Sequence, residues 1–326
     1  MRCLRLVAVV LTAQIAAVAW LAAPAAAQEA FPSRPVTLVV GFAPGGGADV
    51  FARALAEAVK TTLPRPLVVE NRPGAGGTNA SAYVLTRPAD GYTLLFGHAG
   101  STILTPVISG NPNLKWSAFE PVARVQGEEE FLFVRPDGQW KTIDDLVSFA
   151  RQNPSKLRVG GSAVGGIDSF VSLLLEKAAG SKVTYIPFDG GGPATIAFLG
   201  GNIDVLVGNV SDSLANLDAK RMVPVAVASE KRSPIYPDVP TLKEKGWDVV
   251  LTQWRSILAP KGTPPDRIRV LAEAIQKGLA TDSWKTFRER TKSVDLFLGP
   301  GEFPAFLSAE DARFTALIDE LGLRKK

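Results

Sequence analysis

The scarce side chains limit the chemistry open to this chain first. It has one His and one Cys. A two-His metal site is therefore excluded, and a catalytic triad or a His-Cys dyad would have to run through His98. Ser162 stands where a nucleophile would, but the Gly-x-Ser-x-Gly elbow fails at Val164, and no His follows the serine as a hydrolase order requires. Ser162 is either a hydrogen-bond donor to a ligand or a plain turn residue. A P-loop needs Gly-Lys-Ser/Thr, and no Lys follows Gly47. The dinucleotide pattern wants a third Gly or Ala where Gly45-x-Gly47 leads to Val50. No catalytic residue, metal or cofactor is expected.

What remains is backbone chemistry. Phe42-Ala43-Pro44-Gly45-Gly46-Gly47-Ala48-Asp49 follows one predicted strand and opens a helix, and Ser162-Ala163-Val164-Gly165-Gly166-Ile167-Asp168 follows another. The turns Phe188-Asp189-Gly190-Gly191-Gly192-Pro193 and Gly208-Asn209-Val210-Ser211-Asp212 have the same context. Free N–H groups and the helix dipole favour an anion at such a helix start, and glycine lets a ligand approach the backbone. Four turns at the C-terminal ends of strands are where open α/β sheets bind ligands. Asp49 and Asp168 are equally good as helix-capping types. His98 either donates to a ligand carboxylate or is a satisfied loop residue. Arg255 either grips a carboxylate with two parallel hydrogen bonds or makes a structural ion pair between lobes.

The elements that must position these turns alternate. Val36 to Val40 is a β-branched run, as in a buried parallel strand, and Val50 to Val59 reads as an amphipathic helix. Strands at Leu67–Glu70 and Tyr92–Phe96 enclose a helix near Thr78–Leu85, and a comparable set runs from Ile143 to Val227. This alternation predicts an α/β protein with parallel-rich sheets. Pro121–Val134, broken by Glu128-Glu129-Glu130, and Val249–Ala259 read as two crossing hinge strands. They divide the chain into lobe 1 (28–126 with 255–326) and lobe 2 (127–254), a geometry suited to closing on a ligand. From Arg267 onward the sequence reads as helices returning to lobe 1.

Of 326 residues, 46% are hydrophobic and 21% charged, which excludes a disordered chain. Arg2 and Arg5, the apolar run Leu6–Leu21 and Ala25-Ala26-Ala27 form the three parts of an export signal, residues 1–27. Its removal takes Arg2, Cys3 and Arg5 with it. The formal charge of +4 then falls by two, too little to suggest nucleic acid, and the Cys-free remainder suits an oxidising periplasm. From the residues alone, a secreted α/β hydrolase or a ligand-loaded signalling module stands beside a solute receptor.

Pro35–Asp49 (PVTLVVGFAPGGGAD), Val69–Gly77 (VENRPGAGG), Pro88–Leu94 (PADGYTL), Ile186–Ala194 (IPFDGGGPA) and Ala259–Pro264 (APKGTP) occur in an order and spacing that resemble the Bug or TctC-like receptors of tripartite tricarboxylate transporters. The resemblance spans the sequence beyond the signal. It implies a two-lobed periplasmic-binding-protein fold, type II-like, acting as a monomer that delivers a carboxylate to two integral membrane components. It also implies that Phe42, Ala43, Gly45, Gly46 and Asp49 face Ser162, Gly165, Gly166 and Asp168 across a cleft, holding the carboxylate through backbone groups and water. Asp189, Gly190, Asn209, His98 and Arg255 complete the expected site. The Phe-Asp-Gly-Gly-Gly turn and Trp254-Arg255 resemble the citrate-receptor-like branch, pointing to a di- or tricarboxylate.

Overall fold

The computed structural model describes residues 30–248 and 250–323. The expected export signal, residues 1–27, lies outside them, as does position 249 at the start of the expected second crossing. The chain runs β1 (Val36–Val40), α1 (Gly47–Ala58), β2 (Leu67–Asn71), α2 (Thr78–Leu85), β3 (Thr93–His98), a π-helical turn, α3 (Thr105–Ser109) and β4 (Phe119–Glu129). It continues with β5 (Phe131–Val134), α4 (Ile143–Gln152), β6 (Arg158–Ser162), α5 (Ile167–Ala179), β7 (Thr184–Phe188), α6 (Gly191–Leu199), β8 (Val205–Gly208), α7 (Leu214–Asp218) and β9 (Val223–Val227). Then follow β10 (Thr252–Pro260), α8 (Pro265–Gly278), α9 (Asp282–Thr291), β11 (Val294–Leu298) and α10 (Phe303–Glu320).

Two sheets result, ordered β11-β4-β10-β3-β1-β2 and β7-β6-β8-β5-β9. β1 is buried on both faces, so its continuous apolar run sits centrally and pairs in parallel with β2 and β3. α1 buries Phe51, Leu55 and Ala58 against it, an i, i+4, i+7 stripe. The two-lobed α/β arrangement is as expected, but the sheets are mixed. β10 runs antiparallel to both β3 and β4, β11 antiparallel to β4, and β5 antiparallel to β8 and β9.

The crossings differ in detail from the sequence reading. The segment Pro121–Val134 is two strands in different sheets, and the chain changes sheet at Glu130. Ala228 N donates to Glu130 O (2.8 Å) and Leu251 N to Ala228 O (2.7 Å), so both passages meet in one short backbone ladder. Apolar packing is continuous through it, from Val39 and Leu95 past Leu251 and Trp254 to Leu132 and Val159. β11 was not anticipated among the C-terminal helices. It pairs with β4 at the sheet edge and is fixed by Asp295, which accepts from Trp284 Nε1 (2.9 Å) and Arg288 Nη1 (2.6 Å).

Candidate functional site

The same turn is built once in each lobe. Before α1, Gly45 has φ +84 and Gly46 caps the helix at φ −85, ψ 171. Before α5, Gly165 has φ +78 and Gly166 caps at φ −90, ψ 178. The left-handed φ explains the first glycine of each pair. Three residues past each cap, a side chain reaches back: Gly45 N donates to Asp49 Oδ2 (3.0 Å) and Gly165 N to Ser169 Oγ (2.9 Å). Asp168 does not cap the helix end. It accepts from Ser162 N (2.5 Å) and Ser162 Oγ (2.8 Å), tying strand end to helix start. Several amides expected to hold a ligand are thus already bonded within their own turn.

The other two turns bring the lobes into contact. Ala43 N of lobe 1 donates to Asp189 O of lobe 2 (2.8 Å). Gly47 N donates to Asp212 Oδ1 (2.7 Å), while Asn209 N donates to Asp212 Oδ2 (3.1 Å). A Cβ on Gly46 would lie 3.1 Å from Gly192 N, and one on Gly191 would collide with the Asp212 carboxylate. The helix starts of α1 and α6 therefore converge on Asp212, which puts a carboxylate of the chain itself at two positive helix ends.

Arg255 forms an ion pair with Glu128 on the neighbouring strand (3.3 Å) and donates to Gly47 O and to Ser211 Oγ (2.9 Å). Ser211 Oγ donates in turn to Glu128 Oε2 (2.5 Å). Arg255 thus pairs with Glu128 inside one sheet, its bond to Ser211 Oγ reaches the other sheet's side, and its guanidinium also lines the cavity between them. His98 ends β3, buried between Phe42 and Phe96 with ring centroids 5.0 and 5.7 Å away. Its Nδ1 accepts from Gly100 N (3.1 Å), which assigns the neutral ring's proton to Nε2. Burial, then the Arg255 charge, push its pKa down to about 3 against the pull of Gln253, so the ring is neutral at physiological pH.

An inner cavity of about 30 Å³ is lined by Phe42, Gly46, Gly47, Ala48, Phe96, His98, Ser162, Gly190, Gly191, Asn209, Asp212, Gln253 and Arg255. Beside it opens a mouth of about 930 Å³ bordered by Ala43, Gly76, Thr105, Ile108, Val164, Gly165, Phe188 and Asp189, among others. Of the expected site residues, Gly45, Asp49, Gly166 and Asp168 line neither. The Asp49 carboxyl is held below its usual range: burial opposes this, but the hydrogen bonds from Arg53 and Gly45 prevail. The sequence reading missed Phe96, Asp212 and Gln253 as lining residues. It also missed Glu128 and Glu130 as the acids behind them, although the acidic break in an apolar run signalled an unusual place.

Those acids repel one another. Burial first, then Asp168 and Asp212, push the Glu130 carboxyl well above the ordinary carboxylate range. Burial also raises Asp168 to about 7, with Asp212 adding to it and the Ser162 bonds opposing. The unfolded chain would release that proton near 3.8. Between these values the native state holds the extra proton, so stability falls as pH rises from 4 to 7, by at most about 1.4 kcal/mol per pH unit, and levels off above. Asp168→Asn is expected to flatten this fall in urea titrations at pH 5 and 8. An undiminished slope in the variant would place the proton on another group.

A two-lobed clamp with helix starts from both lobes at its cleft defines the class of periplasmic binding proteins. The solved structure of the periplasmic binding protein BugD superposes with a TM-score of 0.85 at 29% identity, covering 91% of this chain and 100% of that one. An R. palustris protein, Rpa4515, solved with adipate, matches at TM-score 0.83 and 29% identity over 90% of this chain and 98% of its own. A UPF0065 protein of Agrobacterium vitis, from the TAR-I ttuE-ttuC' intergenic region, is 34% identical across 98% of this chain and 90% of the relative. Residues 51–323 match the model of the tripartite tricarboxylate transporter family receptor, TctC, and the chain belongs to that family of substrate-binding receptors.

Proposed function

We propose that the chain captures a small organic carboxylate between its lobes in the periplasm, as a monomer, and presents it to two integral membrane components of a transporter. The observation that carries this reading is the repeated Gly-Gly turn, Gly45-Gly46 at the start of α1 and Gly165-Gly166 at the start of α5, of which Gly46 lines the inner cavity and Gly165 its mouth. Adipate in the Rpa4515 structure supports the ligand class. Export after cleavage behind Ala27 rests on the leader sequence, and no helix among the described residues is long and apolar enough to cross a membrane. The lobes, residues 28–126 with 255–326 and residues 127–254, would pivot at the Glu130–Ala228–Leu251 ladder. The Ala43–Asp189 and Gly47–Asp212 bonds would form on closure. Ligand drives closure only through tighter binding to the closed state. Citrate, the widest member of the expected class, would find few cations: the described lining residues offer Arg255 alone, and Glu128 already neutralises it.

A thermal-shift screen of carboxylates tests the reading. Ligand at a hundred times its Kd stabilises by about 2.7 kcal/mol, which for a chain of this size raises the melting temperature by roughly 3–5 °C. A panel of mono-, di- and tricarboxylates that leaves the melting temperature unmoved would remove the carboxylate.

A further inference from the structure

Four carboxylates gather where the two sheets meet. Glu128 comes from the end of β4, Glu130 from the change of sheet, Asp168 from the first turn of α5 and Asp212 from the turn after β8. The charge that faces them among the described residues is Arg255 on β10, already paired with Glu128 (3.3 Å). Neutral His98 on β3 lies beside Arg255. Tyr185 on β7 faces Asp168 and Glu130, and its hydroxyl donates to Ala163 O (3.0 Å). Glu129 turns instead to Ser229 and Ser233. Glu130 is fully buried: Asn209 Nδ2 donates to its Oε2 (2.9 Å), and its Oε1 has no hydrogen-bond partner among the described residues. An ionised carboxylate with an orphaned buried oxygen is costly, and a proton removes the charge.

One side chain separates each of two acids from the inner cavity. Asn209, which holds Glu130, and Ser162, which holds Asp168, both line it. The start of α1 covers that cavity, fastened by Gly47 N on Asp212 Oδ1 (2.7 Å) and by Arg255 on Ser211 Oγ (2.9 Å). Parting these contacts admits water, which stabilises the ionised acids. We propose that closure of the cleft takes up protons on Glu130 and Asp168, so that the proton is a second closing ligand: mild acid brings the lobes together and mild base parts them. The inference rests on the pivoting lobes of the capture reading and adds a regulator to it. With the lobes in contact, burial, then Asp168 and Asp212, hold the Glu130 carboxyl well above the carboxylate range, and burial raises Asp168 to about 7. Hydration lowers both, so the closed state binds more protons and closure weakens as pH rises toward and through the closed-state values. His98 opposes this. Burial and the Arg255 charge hold its ring at about 3, and once hydrated it would titrate near 6.5, so below that pH it offsets one of the two acids.

The test reads the separation of the lobes without ligand. Glu57→Cys on α1 and Ile196→Cys on α6, both exposed and lining neither the inner cavity nor its mouth, carry a pH-insensitive donor–acceptor pair in a Cys3→Ser chain. Single-molecule energy transfer is expected to show the closed-to-open ratio falling about ten-fold from pH 6.5 to 8.5, against a ceiling of about a hundred-fold for one proton. Glu130→Gln keeps an acceptor for Asn209 and is expected to shrink that fall several-fold, with the lobes more closed at pH 8.5. Asp168→Asn is expected to act in the same direction and carries the test if the Glu130 variant misfolds. A ratio that does not fall with pH, or a fall undiminished in both variants, overturns the proposal. Adipate, succinate and citrate, added at pH 6.5, separate it from the capture reading. Lobes that ignore pH and close on one of these leave capture standing without the proton. Lobes that answer pH and none of the three support the proton and remove the carboxylate. Lobes that answer neither overturn both.

Discussion

Replacing Arg255 with Met is expected to destabilise the protein by about 3–5 kcal/mol, the usual cost of stranding one member of a buried ion pair. Glu128 would lose its neutralising partner while 4% exposed, with Asp212 close enough to raise its pKa already. Gly47 O and Ser211 Oγ would lose their donor, loosening the join between α1 and lobe 2. The unpaired Glu128 would take up a proton, so the loss should be smaller at pH 5 than at pH 8. Adding Glu128→Leu should recover most of the stability, because removing both charges leaves nothing buried and unpaired. Urea unfolding of the wild type and of the single and double variants at both pH values checks the set. A single variant as stable as the wild type would mean that losing Arg255 does not strand a buried charge on Glu128.

This ion pair marks where sequence reading stopped. β1 and α1 were legible because a β-branched run, a glycine turn and an apolar stripe are local signals. The two Gly-Gly turns were legible for the same reason, since a left-handed φ at Gly45 and Gly165 selects the residue type on the spot. The partners of those turns were not. Whether Asp49 faces a ligand or Gly45 N is decided by one side-chain rotation, and the residue type suits both. Glu128, Asp212, Gln253 and Arg255 come from three distant stretches, and only the antiparallel placement of β10 beside β4, with β8 delivering Asp212 from the other sheet, assembles them. β11 was hidden because five residues at a sheet edge, partly exposed and flanked by helices, carry little periodicity.

Gly46→Val is expected to abolish ligand capture with the fold kept, a loss of 100-fold or more in affinity, about 2.7 kcal/mol. Gly46 sits at φ −85, ψ 171, which any residue adopts, so lobe 1 has no reason to misfold. Across the cleft, its Cβ would lie 3.1 Å from Gly192 N and 3.4 Å from Gly191 N, and the valine methyls would run on into the first turn of α6. Those backbone atoms belong to a helix start and cannot swing aside as a side chain would, so the lobes would stay apart and the closed state would be lost. Gly45→Ala is the contrasting control. Its Cβ meets nothing within 4 Å, but φ +84 strains the backbone, so it should cost about 1 kcal/mol of stability and leave affinity nearly unchanged. Calorimetry with a ligand identified in the thermal screen, alongside melting curves of both variants, separates obstruction from strain. Full affinity in Gly46→Val would mean that the α1 and α6 helix starts need not meet for the ligand to be held.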